Sequence, residues 1–332
     1  MKIHFFSVIL LVAMMLGMMA GCKDNTVEPP TTGQMITMTV APPKVGSSWT
    51  VNFELFGTDE ATIYWGDGTN QKVILSGNDM HVSGPGCYWI DKYNYCEHSY
   101  SGSFTLSSPP RTITIIGNIT YLNCSGNRVI SLDASKNPAL EKLCCYGVGS
   151  NKYLTNLNIS KNFELDWLDV SENLLTSLDL SNNTKLEVLN CEDNQLTILD
   201  LSNNSALEWL SCARNQLISL NVDNSPALEE LDCFRNELTS LDVRNSHRLK
   251  KLYAYNNLLT SEELNALFES LHSNKIENGK EFIYKDGFGN TPIGITLDSS
   301  PDGKRIYVLG NPGGGDCDRS IAIKKGWGVS VE

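Results

Sequence analysis

Leucines and polar residues follow a fixed long period through the middle of the chain. Between residues 118 and 259 one leucine-rich segment occurs seven times, at a spacing of 21 residues except for a second copy of 25. The copies begin at Ile119, Leu140, Leu165, Leu186, Leu207, Leu228 and Leu249. Each copy holds two short L-x-L runs, whose leucines share one side of an extended chain. One copy cannot bury its own apolar side, whereas stacked copies can, so the period predicts a solenoid.

The start of each copy reads L-x-x-L-x-C-x-x-N-x-L, the core of a leucine-rich repeat. The ninth position is asparagine in six copies: Asn127, Asn173, Asn194, Asn215, Asn236 and Asn257. Side-chain amides placed there can bond the backbone groups that are freed where each coil turns. We therefore predict a structural ladder of asparagines rather than a binding role.

Cysteine fills the sixth position of five copies: Cys124, Cys145, Cys191, Cys212 and Cys233. This position points into the apolar interior, where a free cysteine behaves as a small hydrophobic residue. Neighbouring strands lack the Cβ geometry that a disulfide prefers, and no C-x₂-C spacing suggests zinc. The prediction is inert packing, with no metal site and no cofactor.

Residues 35–117 alternate with a period of two, in 35–40, 49–55 and 111–116, which predicts a small β-sandwich. The segment 64–69 (YWGDGT), followed by His98-x-Tyr100, resembles the PKD-type immunoglobulin-like domain, although Trp65 stands where that family has phenylalanine. The resemblance implies a spacer. Asp67 is interpreted as a turn residue rather than a cation ligand.

Residues 260–332 break the period and are interpreted as a C-terminal α/β cap, because a solenoid needs an atypical unit over its last coil. Thr260 to Glu263 form a capping box that predicts a helix to about residue 273. A strand is predicted at 305–309. A short helix is predicted at 318–325, ended by Gly326.

The first residues form a targeting segment. Lys2, an apolar stretch and the sequence Met19-Ala20-Gly21-Cys22 resemble a bacterial lipoprotein signal, which implies removal of 1–21 and lipidation of Cys22. The alternative is a plain secretory signal with an incidental cysteine. Residues 22–34 are interpreted as a tether. Since an exported protein can keep disulfides, we predict one between Cys87 and Cys96.

The chain has 332 residues and a formal net charge of -12, which argues against a nucleic-acid partner and favours cationic ones. A column of acids recurs at the second position: Glu141, Asp166, Glu187, Glu208 and Glu229. Glycoside hydrolysis needs two carboxyl groups in different environments, whereas these recur only because the repeat recurs. With only five histidines and none in a catalytic motif, no enzyme activity is predicted.

The register predicts that positions three, five and seven of each coil face the concave side of the sheet. Exposed aromatic patches mark interaction sites, and aromatic and arginine side chains dominate interface energetics. The predicted ligand-binding surface consists of Trp167, Trp209, Arg214, Phe234, Arg235, Tyr253 and Tyr255. The alternative is that aromatic residues cover the sheet simply because they favour strands.

With its repeats, its first domain and the C-terminal stretch from Gly310 to Trp327, the chain resembles bacterial surface leucine-rich-repeat lipoproteins. The resemblance implies a mainly β protein: a PKD/Ig-like sandwich, a right-handed solenoid and a cap. It implies a monomeric, non-enzymatic adhesion protein on the outer membrane of a Gram-negative bacterium, which binds an extracellular protein. Two alternatives stay open, a glycan-binding accessory lipoprotein in polysaccharide uptake and a purely structural envelope protein.

Overall fold

A computed structural model describes residues 28–41, 49–75, 102–106, 111–149, 152–274 and 304–330. The predicted signal peptide and the predictions for Cys22, Cys87, Cys96 and His98 lie outside these ranges.

Five strands form the N-terminal region: β1 (Met35–Val40), β2 (Trp49–Tyr64), β3 (Asn70–Ile74), β4 (Gly102–Leu106) and β5 (Arg111–Asn123). The three predicted strands are confirmed, and β2 and β5 extend well beyond their predicted ends. β5 pairs antiparallel with β1 and β2, and β2 also pairs antiparallel with β3 and β4. The PKD-like sandwich stays a prediction.

The Gly-Asp-Gly segment forms the tight turn between β2 and β3. The Asp67 carboxylate accepts hydrogen bonds from the amide and the hydroxyl of Thr69, at 2.9 and 2.5 Å. Its other oxygen lies 3.4 Å from the guanidinium of Arg111. Just before the turn, the Trp65 ring stacks on Phe53 at 5.5 Å. Asp67 therefore has the contacts of a turn residue.

Strand β5 belongs to both the N-terminal region and the solenoid. Its first half pairs with β1, while residues 121–123 pair in parallel with the next coil. Gly117 lies between the halves with a φ of +155°, and an added Cβ would lie 3.0 Å from the Cβ of Ala61. Residues 54–56 of β2 pair antiparallel with 121–123 and so cover the edge of the first coil. The predicted boundary at 117/118 thus falls inside a strand, and the N-terminal region caps the solenoid.

Short parallel strands form the rest of the solenoid: β6 (Val129–Lys136), β7 (Lys142–Cys144), β8 (Asn156–Asn158), β9 (Trp167–Asp169), β10 (Val188–Asn190), β11 (Trp209–Ser211), β12 (Glu230–Asp232) and β13 (Lys251–Tyr253). Strands β5, β7 and β9 to β13 pair in coil order with equivalent positions opposite each other. β6 and β8 pair with each other elsewhere on the coils, and β1 pairs with β6. The predicted stacking of the coils in register is confirmed.

One apolar core runs from the N-terminal region through every coil to the cap, from Ile36 to Val329. The fourth-position leucines and sixth-position cysteines lie in this core, with Val170 interrupting the cysteine column between Cys145 and Cys191. Burial raises the pKa of the Cys212 thiol well above its usual range. Because the thiolate is the reactive form, these contacts favour the predicted inert packing.

The predicted asparagine ladder is confirmed. Asn215 Oδ1 accepts a hydrogen bond from the amide of Leu196 at 3.0 Å. Its Nδ2 donates to the carbonyl oxygens of Cys191, Cys212 and Ala213, at 3.0, 3.0 and 3.1 Å. From Asn173 onwards, each asparagine thus joins its own turn to the coil before it and satisfies polar groups that water cannot reach.

A second ladder was not predicted. Asn183 Nδ2 donates to the carbonyl oxygens of Asn162 and Ile159, at 2.9 and 3.2 Å. Asn162 and Asn204 repeat this pattern in the coils on either side. The signal was present in the sequence, as a recurring asparagine near the end of each copy that becomes Ser225 and Ser246 in later copies.

The C-terminal unit contains α1 (Ser261–Ser270), β14 (Lys304–Tyr307), α2 (Ser320–Lys324) and β15 (Trp327–Ser330). The capping box is confirmed, because Thr260 Oγ1 accepts from the amide of Glu263 at 3.3 Å. β14 pairs in parallel with β13, and β15 with β14. Asn311 then extends the first ladder, accepting from the amide of Leu259 at 3.1 Å. The cap therefore contains an eighth coil, which a long insertion separates from the seventh.

Candidate ligand-binding surface

The long sheet has one side turned away from the core, which we call the strand face. It carries positions three, five and seven of each coil, because neighbouring residues of a strand point to opposite sides. Within the described residues it includes part of β2, then β5, β7 and β9 to β15. At about 4.8 Å per strand these ten strands span roughly 43 Å. The surface is longer than seven coils alone would give.

The two tryptophans of the predicted site differ in exposure. Trp209 is only 2% exposed, so the expectation that it is open to solvent is wrong. It lies between Val188 and Glu230 of the adjacent strands and outside the apolar core, so neighbours on the strand face cover it. Trp167 is half-buried, with the Lys142 ammonium 6.0 Å from the centre of its ring.

Four aromatic side chains form two stacks at the C-terminal end of the strand face. Phe234 stacks on Tyr255 with ring centres 4.4 Å apart and planes 6° apart. Tyr253 stacks on Tyr307 at 4.6 Å and 4°. Burial raises the pKa of both Tyr253 and Tyr255, so their hydroxyls stay protonated. Tyr307 belongs to the eighth coil and was therefore not predicted.

Within each stack the two rings come from neighbouring coils: Phe234 and Tyr255 from the sixth and seventh, and Tyr253 and Tyr307 from the seventh and eighth. The rings stack along the axis of the solenoid, so the inner faces of each pair cover each other. Phe234 and Tyr307 are only 8% and 6% exposed, so the stacks offer a ligand mainly the exposed edges and hydroxyl groups of the half-buried Tyr253 and Tyr255. We call Phe234, Tyr253, Tyr255 and Tyr307 the aromatic stacks.

Arg214 and Arg235 lie beside the aromatic stacks, at the tight turn that follows each strand. Both have a φ of +53°, a conformation shared by Glu172, Asp193 and Asn256 at the same position. The Arg214 guanidinium contacts Glu192, with Nε 3.1 Å from Oε1, and lies 5.6 Å from the ring centre of Phe234. Arg235 is exposed. The structure therefore brings together five of the seven predicted site residues. Trp167 lies farther along the sheet, in the third coil, and Trp209, in the same coil as Arg214, is buried.

A row of polar residues follows the fifth position along the middle of the strand face: Asp169, Asn190, Ser211 and Asp232. Ser211 is fully buried and Asp232 is 3% exposed. Ser211 Oγ and Asp232 Oδ1 have no hydrogen-bond partner among the described residues. Burial raises the pKa of Asp232 well above its usual range, and the carboxylates of Glu230 and Glu192 raise it further. The sequence predicted that these residues lie on this face but not that they are buried.

Changing Asp169 to asparagine is expected to remove a pH dependence of stability. Burial raises the pKa of Asp169 to about 6, so the folded state binds this proton more tightly than the unfolded state does. The stability of the parent should therefore fall as the pH rises from about 4 to about 6, by a total on the order of 1–3 kcal/mol. Asn190 accepts an amide hydrogen bond at the equivalent position, so an amide fits there.

Urea unfolding at pH 4 and pH 7.5 measures this effect. Asp169→Asn should match the parent at pH 4 and be more stable than the parent at pH 7.5. The control is Asp179→Asn, since Asp179 bonds Ser181 in the same way but has a lowered pKa; it should give no gain at pH 7.5. If the parent protein were more stable than Asp169→Asn at pH 7.5, the prediction would be wrong.

Two of the five acids in the column at the second position form ion pairs with local cations. Asp166 lies 2.7 Å from the Lys142 ammonium. Glu229 contacts both Arg248 and Lys250, at 2.5 and 2.6 Å. Burial raises the pKa of Asp166, and Lys142 opposes that rise. These ion pairs fit a structural role at the edge of the coils better than the roles of a general acid and a nucleophile in glycoside hydrolysis.

In the described part of the chain, no three His, Cys, Asp or Glu side chains are grouped so that they could hold a metal ion. In the same ranges, no helix has the length and apolar character needed to cross a membrane.

No protein-family model and no curated protein matches the chain. Solved leucine-rich-repeat structures do match. The functional domain of InlJ from Listeria monocytogenes, described as including a cysteine ladder, is 37% identical over 45% of this chain and 32% of its own, with a TM-score of 0.42. The L. monocytogenes internalin InlF is 26% identical over 40% of each chain, at 0.36. YopM, a leucine-rich effector from Yersinia pestis, is 23% identical over 45% and 47%, at 0.33. The match spans about a third to two fifths of InlJ and InlF.

Proposed function

We propose that this leucine-rich-repeat protein is a non-enzymatic recognition protein of the bacterial cell surface, which binds a protein ligand through its strand face. The observation that carries the proposal is the grouping of the aromatic stacks with Arg214 and Arg235 at one end of this face. Aromatic and arginine side chains dominate the energetics of protein interfaces. The rigid sheet beneath them adds little ordering cost when a partner binds.

The ring geometry favours a protein over a glycan. A sugar ring binds an aromatic side chain by lying on its face, but the rings of the aromatic stacks cover each other at 4.4 and 4.6 Å. Trp167 and Trp209 are the two tryptophans on this face whose rings could hold a sugar, and Trp209 is buried. Ring edges and phenolic hydroxyls suit the mixed apolar and polar surface of a protein. Glycan binding remains the second candidate, supported by Trp167 alone.

We also propose that lipidated Cys22 anchors the protein at the outer membrane. The support for this part of the proposal is the signal sequence. Residues 22–34 then tether the folded part to the membrane. Because β5 runs from the N-terminal region into the first coil, the strand face is held in a fixed position relative to that region. The bound protein is extracellular, and the chain acts as a monomer.

The double variant Tyr253→Ala, Tyr255→Ala tests the strand face. These tyrosines are half-buried, whereas a change at buried Trp209 would also lower stability. The full chain without its signal peptide, with Cys22→Ser, is used to capture proteins from extracellular-matrix and mucus extracts, and the Kd of each captured protein is measured. The double variant should bind at least tenfold more weakly, as expected for loss of aromatic contacts at an interface.

The matched control is Ile198→Ala, Ile218→Ala, which removes two exposed apolar side chains away from the strand face. It should bind like the parent. The proposal fails if the tyrosine variant keeps full affinity for every captured protein, or if the isoleucine variant loses as much. A hit on a glycan array that the tyrosine variant abolishes would favour the second candidate instead, and no saturable binding in either assay would favour a purely structural role.

A further inference from the structure

The centre of the strand face, at the fifth coil, has small side chains between larger ones. Ser211 and Ala213 of this coil are fully buried although they point away from the core. Asp232 stands opposite Ser211 on the next strand, and Glu192 belongs to the coil before. We call Ser211, Ala213, Asp232 and Glu192 the central slot. It is distinct from the aromatic stacks, although Phe234 adjoins both.

Two polar atoms in the central slot lack partners. Ser211 Oγ and Asp232 Oδ1 are buried and make no hydrogen bond among the described residues. The equivalent fifth-position side chains Asp169 and Asn190 do accept bonds, from the amides of Ser171 and Glu192. Buried polar groups in folded proteins are nearly always bonded, so a pair left without partners on a binding face points to a group that arrives from outside.

The charges around the central slot determine whether the incoming group should be positive or negative. Glu230 and Glu192 are each paired with a cation, Lys251 at 3.4 Å and Arg214 at 3.1 Å. No cation forms a salt bridge with Asp232 among the described residues. Burial raises the pKa of Asp232, the carboxylates of Glu230 and Glu192 raise it further, and the Lys251 ammonium only partly opposes that rise. The slot therefore combines two hydrogen-bonding oxygens with unbalanced negative potential. A positively charged donor satisfies both, and the net charge of -12 attracts such a partner from a distance.

We infer that the central slot binds the ammonium group of a lysine side chain presented by the protein partner. This inference rests on the proposed function and names the chemistry of the partner. An ammonium group offers three donors on a thin, flexible stem, so it can bond Ser211 and Asp232 together. Because these residues are 0% and 3% exposed, the side chains that cover them must move aside as the ammonium group enters. A guanidinium is a wide planar fork of fixed geometry, which suits this small site on the strand face less well. As the ammonium enters, the Asp232 carboxyl turns towards it and releases any proton it holds to solvent.

The test uses the full chain without its signal peptide and three short peptides as probes. The peptides are acetyl-Gly-Gly-Lys-Gly-Gly-amide, the same peptide with acetyl-lysine, and the same peptide with arginine. Binding is followed by changes in the NMR signals of the peptide. The lysine peptide should bind at least tenfold more tightly than the acetyl-lysine peptide, which lacks the charge, and more tightly than the arginine peptide.

Three variants locate the effect. Asp232→Asn removes the charge at constant size, and Ser211→Val fills the slot; each should weaken binding of the lysine peptide at least tenfold. Asp232→Asn should fold at least as stably as the parent, because burial disfavours the charged carboxyl it replaces. The control Asp242→Asn changes an acid that pairs with Arg244 away from the strand face, and it should leave binding unchanged.

The inference is overturned if the parent does not bind the lysine peptide, binds all three peptides alike, or binds equally well after Asp232→Asn. These outcomes leave the proposed function untouched if Tyr253→Ala, Tyr255→Ala still abolishes capture of a protein partner. Conversely, selective lysine binding without any captured partner would support the slot and weaken the proposed function. The two experiments therefore fail independently.

Discussion

Replacing Asn215 with alanine is expected to lower the free energy of unfolding by roughly 3–5 kcal/mol. The asparagine accepts one hydrogen bond and donates to three carbonyl oxygens of two coils. Alanine leaves the Leu196 amide without its acceptor in a region that water does not reach. The carbonyl oxygens of Cys191, Cys212 and Ala213 each lose one hydrogen bond but keep a second donor. Leaving one buried polar group unsatisfied costs about 1–3 kcal/mol, and each of the three other lost hydrogen bonds adds about 0.5–1.5 kcal/mol.

Urea unfolding at pH 7 measures this change. The control is Asn203→Ala, because Asn203 is an exposed asparagine in the preceding copy of the repeat; it should change stability by less than about 0.5 kcal/mol. If Asn215→Ala unfolded within about 1 kcal/mol of the parent, the first ladder would not have the structural role assigned to it.

Gly313→Ala is expected to destabilise the C-terminal cap by about 3 kcal/mol or more, since overpacking typically costs 1–3 kcal/mol and here the clash is with backbone. A Cβ at Gly313 would lie 1.9 Å from the amide nitrogen of Ser261 and 2.2 Å from the carbonyl carbon of Thr260. The Gly313 amide also donates to the carbonyl oxygen of Leu259 at 3.1 Å. The substitution must therefore push the glycine-rich loop away from the start of α1.

Gly315→Ala is a closely matched control, because it lies two residues away and its added Cβ would meet nothing within 4 Å. It should leave stability nearly unchanged. Thermal unfolding gives the overall loss, and hydrogen exchange of the amides of β14 and β15 shows whether the cap opens before the coils. If the two variants were equally stable, the loop would be able to move without destabilising the cap, and the prediction would be wrong.

The period of the sequence was enough to predict the structural features that recur from coil to coil. The fourth-position leucines, the sixth-position cysteines and the ladder of Asn215 depend on a coil stacked on a similar coil, so one register predicts them all. The eighth coil was not predicted because the chain leaves the period after residue 259 and returns to it only near Arg305. Without a local repeat, Asn311 and Tyr307 could not be assigned to their columns.

Exposure on the strand face could not be predicted in the same way. Alternation along a strand shows which side a residue faces, but not how its neighbours on adjacent strands cover it. Trp209 faces the predicted side and is nevertheless buried between adjacent coils. The same lateral cover buries Ser211 and Asp232, whose missing hydrogen bonds depend on atomic contacts that a sequence pattern does not contain.

The pairing of β1 has a mechanical consequence. This strand is bonded on both sides, antiparallel to β5 and to β6, and it lies at the end of the folded part that leads to the proposed membrane anchor. A pulling force between the anchor and a bound ligand would enter the folded part through β1. Because this strand has a partner on each side, two sets of backbone hydrogen bonds must break before it can leave the sheet. The fold is therefore suited to hold a ligand under tension.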